Sequence, residues 1–192
     1  MSKQETGSRA QRIASAPNRL IREARALERD RSRRVDAGLY LAWGVHPAQA
    51  TLRRQVEVVR ALIGPALERT DEGTALLRDL EAVCPEVIHT TGTLLDTIIA
   101  GCGDQGILLI LRRPVHDLQG ILTRAPTMLL VAHGIQDPGN FGSIVRTACA
   151  FGVNGLIVLE GCTDPYSSRA VRAAMGAQLC LPIASSTVTE AI

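Results

Sequence analysis

Residues 137–148 gather the side chains best suited to chemistry on an anionic ligand: Asp137-Pro138-Gly139-Asn140-Phe141-Gly142-Ser143-Ile144-Val145-Arg146-Thr147-Ala148. They follow a continuous apolar run, Met128 to Ala132, and open a segment of helical periodicity that ends at Phe151-Gly152. The pattern predicts a strand, a turn of small residues, and a helix carrying Arg146 near its start. Backbone N–H groups, the Asn140 carboxamide and one fixed positive charge would then meet at the carboxyl end of a strand, where open α/β sheets bind ligands. A cation close to a helix N-terminus is mildly unfavourable, and a phosphate in front of it accounts for Arg146 better than helix stability does. The same residues also suit a plain structural reading. Asp-Pro-Gly-Asn is strong turn chemistry, and Asn140 or Ser143 could simply cap the helix.

A second cationic pair, Arg169 and Arg172, sits three residues apart in a segment of helical period, so both share one face. Phosphate clamping and surface ion pairing both fit that spacing. Tyr166 suits either a stacking role or an anchoring role in the core.

Elements able to position these groups follow from the pattern of apolar residues. Residues 18–34 read as one helix with Leu20, Ile21, Ala24 and Leu27 on a single face, and residues 38–44 as a strand. Residues 47–62 read as a helix and 64–67 as a further strand position. A helix at 73–83, a strand at 87–89, a short helix at 92–100 and a strand at 106–111 complete a βαβαβ alternation. Four segments result: a basic arm or helix over 1–34, a small α/β domain over 35–113, a linker over 114–126 containing Pro114, Gly120 and Pro126, and a second α/β unit over 127–192. In that last unit a strand is predicted at 155–159, a helix at 169–175 and a strand at 179–183. Residues 1–9 are polar and expected to be disordered.

Composition narrows the classes. The chain is 46% apolar and 21% charged, as expected of a soluble globular protein, and it has no apolar run of membrane-spanning length and no signal-like leader. The expected location is cytoplasmic. Its net charge of +2 hides an asymmetry: residues 1–34 hold ten basic against four acidic side chains, a net of +6, so the remainder is −4. Clustered arginine on an otherwise acidic chain is an electrostatic footprint of nucleic-acid contact, although a solvated helix face has the same composition. With aromatic residues at only 3%, RNA contact would rest on phosphate and shape more than on stacking. Lys3 is the only lysine, which excludes a P-loop, and no dinucleotide-binding glycine fingerprint is present. Five scattered cysteines form no C-x-x-C pair and His46, His89 and His133 stand alone, so no metal site is expected.

The run Asn140-x-Gly142-x-x-x-Arg146-x-Ala148-x-x-Phe151-Gly152 resembles the first signature motif of the SpoU (TrmH) branch of RNA 2′-O-ribose methyltransferases. Residues 164–177, from Asp164-Pro165-Tyr166 to Met175-Gly176-Ala177, and Leu181-Pro182-Ile183 are similar to what that family carries next. More weakly, residues 12–22 resemble the opening of its N-terminal substrate-binding domain. The resemblance implies a ribosomal-protein-like α/β RNA-binding domain followed by a SPOUT-type, trefoil-knot α/β domain. It implies methyl transfer from S-adenosylmethionine to a ribose 2′-hydroxyl of rRNA or tRNA, in a homodimer. Asn140 and Arg146 would be catalytic. Arg146, always protonated, would stabilise the developing alkoxide rather than act as a base. Arg12, Asn18, Arg19, Arg22, Gly142, Arg169 and Arg172 would contact RNA, with Gly142 allowing close backbone approach. The family's second and third motifs, which form the cofactor pocket, are expected beyond Ile192. Binding of S-adenosylmethionine by residues 1–192 alone is therefore not expected, and a catalytically incomplete RNA-binding fragment is the alternative reading.

Overall fold

The computed structural model describes residues 11–12, 18–124 and 127–191. The expectation for residues 1–9 lies outside them, and so does the side chain of Arg12.

The first unit is a five-stranded sheet with helices on both faces. In chain order its elements are β1 (Gln11–Arg12), α1 (Arg19–Arg29), α2 (Arg31–Ala37), β2 (Leu39–Trp43), α3 (Val45–Arg53), β3 (Val58–Ile63), α4 (Asp71–Val83), β4 (Val87–His89), α5 (Gly92–Asp96), α6 (Cys102–Gln105) and β5 (Ile107–Arg112). The strand order is β1-β4-β3-β5-β2, parallel at β1/β4 and β3/β4 and antiparallel where β5 meets β3 and β2. Side chains alternate between the two faces along each strand. Leu39, Leu41, Trp43, Leu108 and Ile110 therefore bury against Ile21, Ala24 and Leu27 of α1. On the other face Tyr40, Ala42, Leu109 and Leu111 pack with Leu76, Leu77 and Leu80 of α4.

Several elements depart from the sequence pattern, each for a local reason. The helix expected over 18–34 is two helices. Asp30 is extended at φ −122°, ψ 117°; it closes α1 and caps α2 by accepting from Ser32 N at 2.7 Å. The helix expected over 47–62 stops at Arg53, because Gln55 takes φ +53° and the following Val56, Val58 and Val59 favour extended backbone. Its second half is β3. No strand forms at 64–67, where Gly64 leads into a single 3-10 turn, Leu67–Arg69. The strand expected at 179–183 shifts to 183–185, because positive φ at Met175 (+53°) and Gly176 (+85°) feeds a 3-10 turn over Ala177–Leu179 first.

The second unit contains α7 (Leu118–Leu122), β6 (Leu129–Ala132), α8 (Pro138–Ala150), β7 (Gly155–Val158), α9 (Ser168–Ala174), β8 (Ile183–Ser185) and α10 (Val188–Ala191). Its three strands are parallel in the order β6-β7-β8, with α8 and α9 as the crossovers. Phe141, Val145, Ala148, Ala170 and Ala174 pack with Leu156, Val158 and Ile183 in one cluster. The segment expected to be only a linker contributes α7, capped by Asp117, and buries Ile121 where a Cβ on Gly155 would collide with it at 2.6 Å.

These units are fused through a shared core. Tyr166 and Val171 of the second unit lie in the same buried cluster as Tyr40 of the first. The rings of Tyr40 and Tyr166 meet edge-on with centroids 5.1 Å apart, and the Arg113 guanidinium lies 4.9 Å from the Tyr166 centroid. Tyr166 thus anchors the core, and burial pushes its phenol up to about 12. Helix α9 also lies against edge strand β2, covering a border that would otherwise stand open.

Candidate functional site

Helix α8 begins at Pro138, with Asp137 as its cap accepting from Asn140 N at 2.7 Å. The turn residues Pro138 to Asn140 are therefore the helix's first turn. Arg146 stands nine residues in, past the reach of the terminal dipole, so the electrostatic argument from a first-turn position does not apply. What places Arg146 is the helix face it occupies. Its Nη1 lies 3.2 Å from Met175 Sδ, and it lines a cleft of about 730 Å³ between the two units.

Arg169 and Arg172 of α9 line the same cleft, together with Trp43, His46, Pro47 and Gln105 of the first unit. Ser167 starts α9 by accepting from Ala170 N, which sets both arginines on the cleft side. The Arg172 guanidinium stacks over the Trp43 ring at 3.7 Å from its centroid. Among the described residues none of these three arginines forms an ion pair with a carboxylate. Glu28, at the end of α1, is the one acidic side chain on the cleft wall among them. Burial raises its carboxyl above the usual range, opposed by the hydrogen bond from Ser168 and the charge of Arg34. Three cations facing little counter-charge make an anion-attracting surface.

Asn140 is elsewhere. It lines a separate groove of about 540 Å³ with Gly134, Ile135, Gln136, Asp137, Ser143 and Ile144. Six residues along a helix amount to about 9 Å of rise and a rotation of about 240°. Asn140 and Arg146 therefore do not form one constellation within a single chain.

Gly142 also has a different role from the one its motif suggests. It is buried, and a Cβ there would stand 2.4 Å from Ala170 O and 2.6 Å from Ala173 Cβ. Gly142 lets α8 and α9 touch backbone to backbone and is not available to RNA.

Asn18 caps α1 by accepting from Leu20 N at 2.8 Å, so its carboxamide is engaged in the fold. Arg19 and Arg22 are exposed on α1 and do not line the cleft. Part of the basic charge of residues 1–34 is structural. Arg25 donates to Thr97, and Arg34, 5% exposed, donates to Asp164 Oδ2 at 2.7 Å and to the carbonyl oxygens of Leu27 and Glu28. Sequence reasoning misses Glu28, Trp43 and His46 as cleft residues. Only Trp43, as the sole tryptophan, carries a signal that could single it out.

The groove beside Asn140 is the described cavity nearest the strand ends where a cofactor would be sought. It is open and offers only two isoleucines as apolar wall. The described residues do not enclose an adenosyl group there.

Residues 127–192 match the family model described as the SpoU rRNA Methylase family. The matched residues are those of the second unit from β6 onward. Over 185 residues the chain is 28% identical to the 23S rRNA (uridine(2479)-2′-O)-methyltransferase of Streptomyces viridochromogenes, covering 94% of this chain and 62% of that protein. Human mitochondrial rRNA methyltransferase 3 is 32% identical over 92 residues, 46% of this chain and 22% of that one. Among solved structures, the SpoU methyltransferase AviRb of S. viridochromogenes, in complex with the cofactor AdoMet, superposes with a TM-score of 0.79. It is 27% identical and covers 91% of this chain and 65% of that one. An rRNA methyltransferase from Sinorhizobium meliloti shares the fold at TM-score 0.78 and 24% identity, covering 94% and 67%. The chain spans less than two thirds of the length of these curated relatives. The two units together share a mixed α/β architecture with that SpoU methyltransferase.

Proposed function

We propose that the complete protein transfers a methyl group from S-adenosylmethionine to a ribose 2′-hydroxyl of rRNA or tRNA. The observation that carries this is the cleft between the second unit and the first, rimmed by Arg146, Arg169 and Arg172 without carboxylate partners among the described residues. In this reading the arginines take RNA phosphates, in bidentate geometry where the fork fits. Arg146 additionally faces the 2′-oxygen and stabilises negative charge as its proton leaves. Arg19 and Arg22 extend the basic surface, and Arg12 is expected to contact RNA as well. In the same reading the first unit acts as a ribosomal-protein-like RNA-binding domain, and the second is part of a SpoU, SPOUT-type trefoil-knot unit that works as a cytoplasmic homodimer. S-adenosylmethionine would supply the electrophilic methyl carbon. Because the described residues do not enclose it, RNA binding without methyl transfer is the competing reading for residues 1–192. Calorimetry of this chain with S-adenosylmethionine separates the two, with no saturable heat expected.

The RNA half of the reading is tested by salt dependence. Each neutralised phosphate contributes roughly −0.7 to −0.9 to the slope of log K against log salt. Replacing Arg146, Arg169 and Arg172 together by alanine should flatten the slope for an rRNA fragment by about 2 in filter binding between 50 and 200 mM salt. An unchanged slope would place RNA elsewhere.

A further inference from the structure

Cys149, on the last turn of α8, and Cys180, just past the Ala177–Leu179 turn, stand far apart in the sequence and meet in space. Both are partly buried, and neither is bridged. Helix α8 packs on that 3-10 turn, and Cys149 lies against the same apolar cluster as Ala177 and Leu181, which flank Cys180. Cys180 also lines an open groove of about 380 Å³ with Arg124, Thr127, Val153, Asn154 and Pro182. Burial pushes the Cys149 thiol up, as does Cys180 beside it, opposed by the charge of Arg54. One member of the pair thus opens on a groove that a small oxidant can enter, and the other is the more reluctant to ionise. The remaining cysteines are placed differently. Cys84 and Cys102 are buried and donate to the carbonyl oxygens of Glu86 and Ile107, and Cys162 Sγ accepts from Ile135 N at 3.4 Å.

We propose that Cys149 and Cys180 form a reversible thiol–disulfide pair, oxidised by a peroxide, whose bond staples the end of α8 to the turn that leads into β8. The Cys180 thiolate attacks one peroxide oxygen and breaks the O–O bond, giving a sulfenic acid and hydroxide. The Cys149 sulfur then attacks the Cys180 sulfur. An S–S bond forms, the sulfenic hydroxyl leaves, and the Cys149 proton goes with it as water. The thiols give up a pair of electrons, and hydrogen peroxide ends as water; a dithiol reductant reverses the bond. The bond closes a loop over residues 149–180 that contains β7 and α9, and with α9 the cleft residues Arg169 and Arg172. Closing a loop of that length restricts the unfolded chain and so stabilises the fold. It also ties together the stretch in which Arg146 of α8 meets Met175.

Treating the reduced chain with hydrogen peroxide should remove two of its five thiols on titration under denaturing conditions. Its mass should fall by about 2 Da, and dithiothreitol should restore both values. After alkylation of the free thiols, cleavage at arginine and glutamate separates the candidates. Cys149 then lies in residues 147–160, Cys162 in 161–169 and Cys180 in 173–190, so the linked peptides name the pair without any variant. Cys162→Ser should still bridge, whereas Cys149→Ser should not. In Cys149→Ser the sulfenic acid on Cys180 should persist and be trapped by dimedone, with much less trapped on Cys149 in Cys180→Ser. The melting temperature of the oxidised chain should exceed that of the reduced chain by about 5 °C or more. Retention of all five thiols, or a link through any other cysteine, would overturn the proposal. Oxidation of Cys180 to a sulfinic acid with Cys149 still a thiol, or a bridge that leaves the melting temperature unchanged, would do the same.

Discussion

Alanine at Arg34 is expected to cost the fold about 3–5 kcal/mol and to lower the melting temperature by roughly 10 °C. This guanidinium, 5% exposed, ties three things together. It pairs with Asp164 of the second unit at 2.7 Å, and it donates to the Leu27 and Glu28 carbonyls, which belong to the unsatisfied end of α1. Removing it strands a carboxylate whose side chain is only 8% exposed, a much larger penalty than the pair's own net worth. Arg34→Lys keeps the charge but lacks the planar fork that reaches an acid and two carbonyls at once, so it should recover less than half of the loss. Asp164→Asn should also be destabilising, and the two substitutions together should cost less than their sum, because both remove one interaction. As the pair is buried, raising salt should barely change these differences. A loss below about 1 kcal/mol for Arg34→Ala, the value of an exposed pair, would mean that the seam between the units is not held this way.

Alanine at Arg146 should act on chemistry rather than on folding. The side chain is exposed and, among the described residues, its one hydrogen-bond partner is the Met175 sulfur, so stability should change little. Methyl transfer by the complete protein should fall about 10²–10³-fold, the usual loss when one group stabilising a developing oxyanion is removed. RNA affinity should fall only severalfold, because Arg169 and Arg172 stay on the same cleft. Arg146→Lys should be intermediate, retaining charge without the fork. Since arginine does not titrate in the working range, the pH profile should keep its shape in both variants. Equal losses of binding and turnover would reduce Arg146 to a phosphate anchor.

The second unit is the most legible part of the sequence. An apolar run, a turn and a helical period give β6, α8 and β7 in the right order because each signal there is local. Residue types were readable where roles were not. The glycine at 142 is demanded, but by Ala170 O and Ala173 Cβ across a helix pair, a contact no local pattern announces. Asp137-Pro138-Gly139 reads equally as a free turn or as a capped first turn, and the capped form moves Arg146 two turns deeper into the helix. In the first unit, Leu52, Val56 and Val59 satisfy a helical period, yet positive φ at Gln55 breaks the segment and β-branched residues take the chain into β3. Of the cleft, only its arginines, Arg146, Arg169 and Arg172, were legible. It is assembled from Glu28, Trp43, Arg146 and Arg172, which meet only because α9 docks on the edge strand β2, and Arg34 inside a run of surface arginines carries nothing in its sequence context to mark it as buried.

Methyl transfer to ribose is decided by its product. Incubate the complete protein with S-adenosylmethionine and unmodified rRNA, digest the RNA to nucleosides, and identify the product by mass spectrometry. A single 2′-O-methylated nucleoside is expected, nearly absent with Arg146→Ala. A methyl group on a base, or a full yield of ribose methylation from the Arg146→Ala variant, would contradict it.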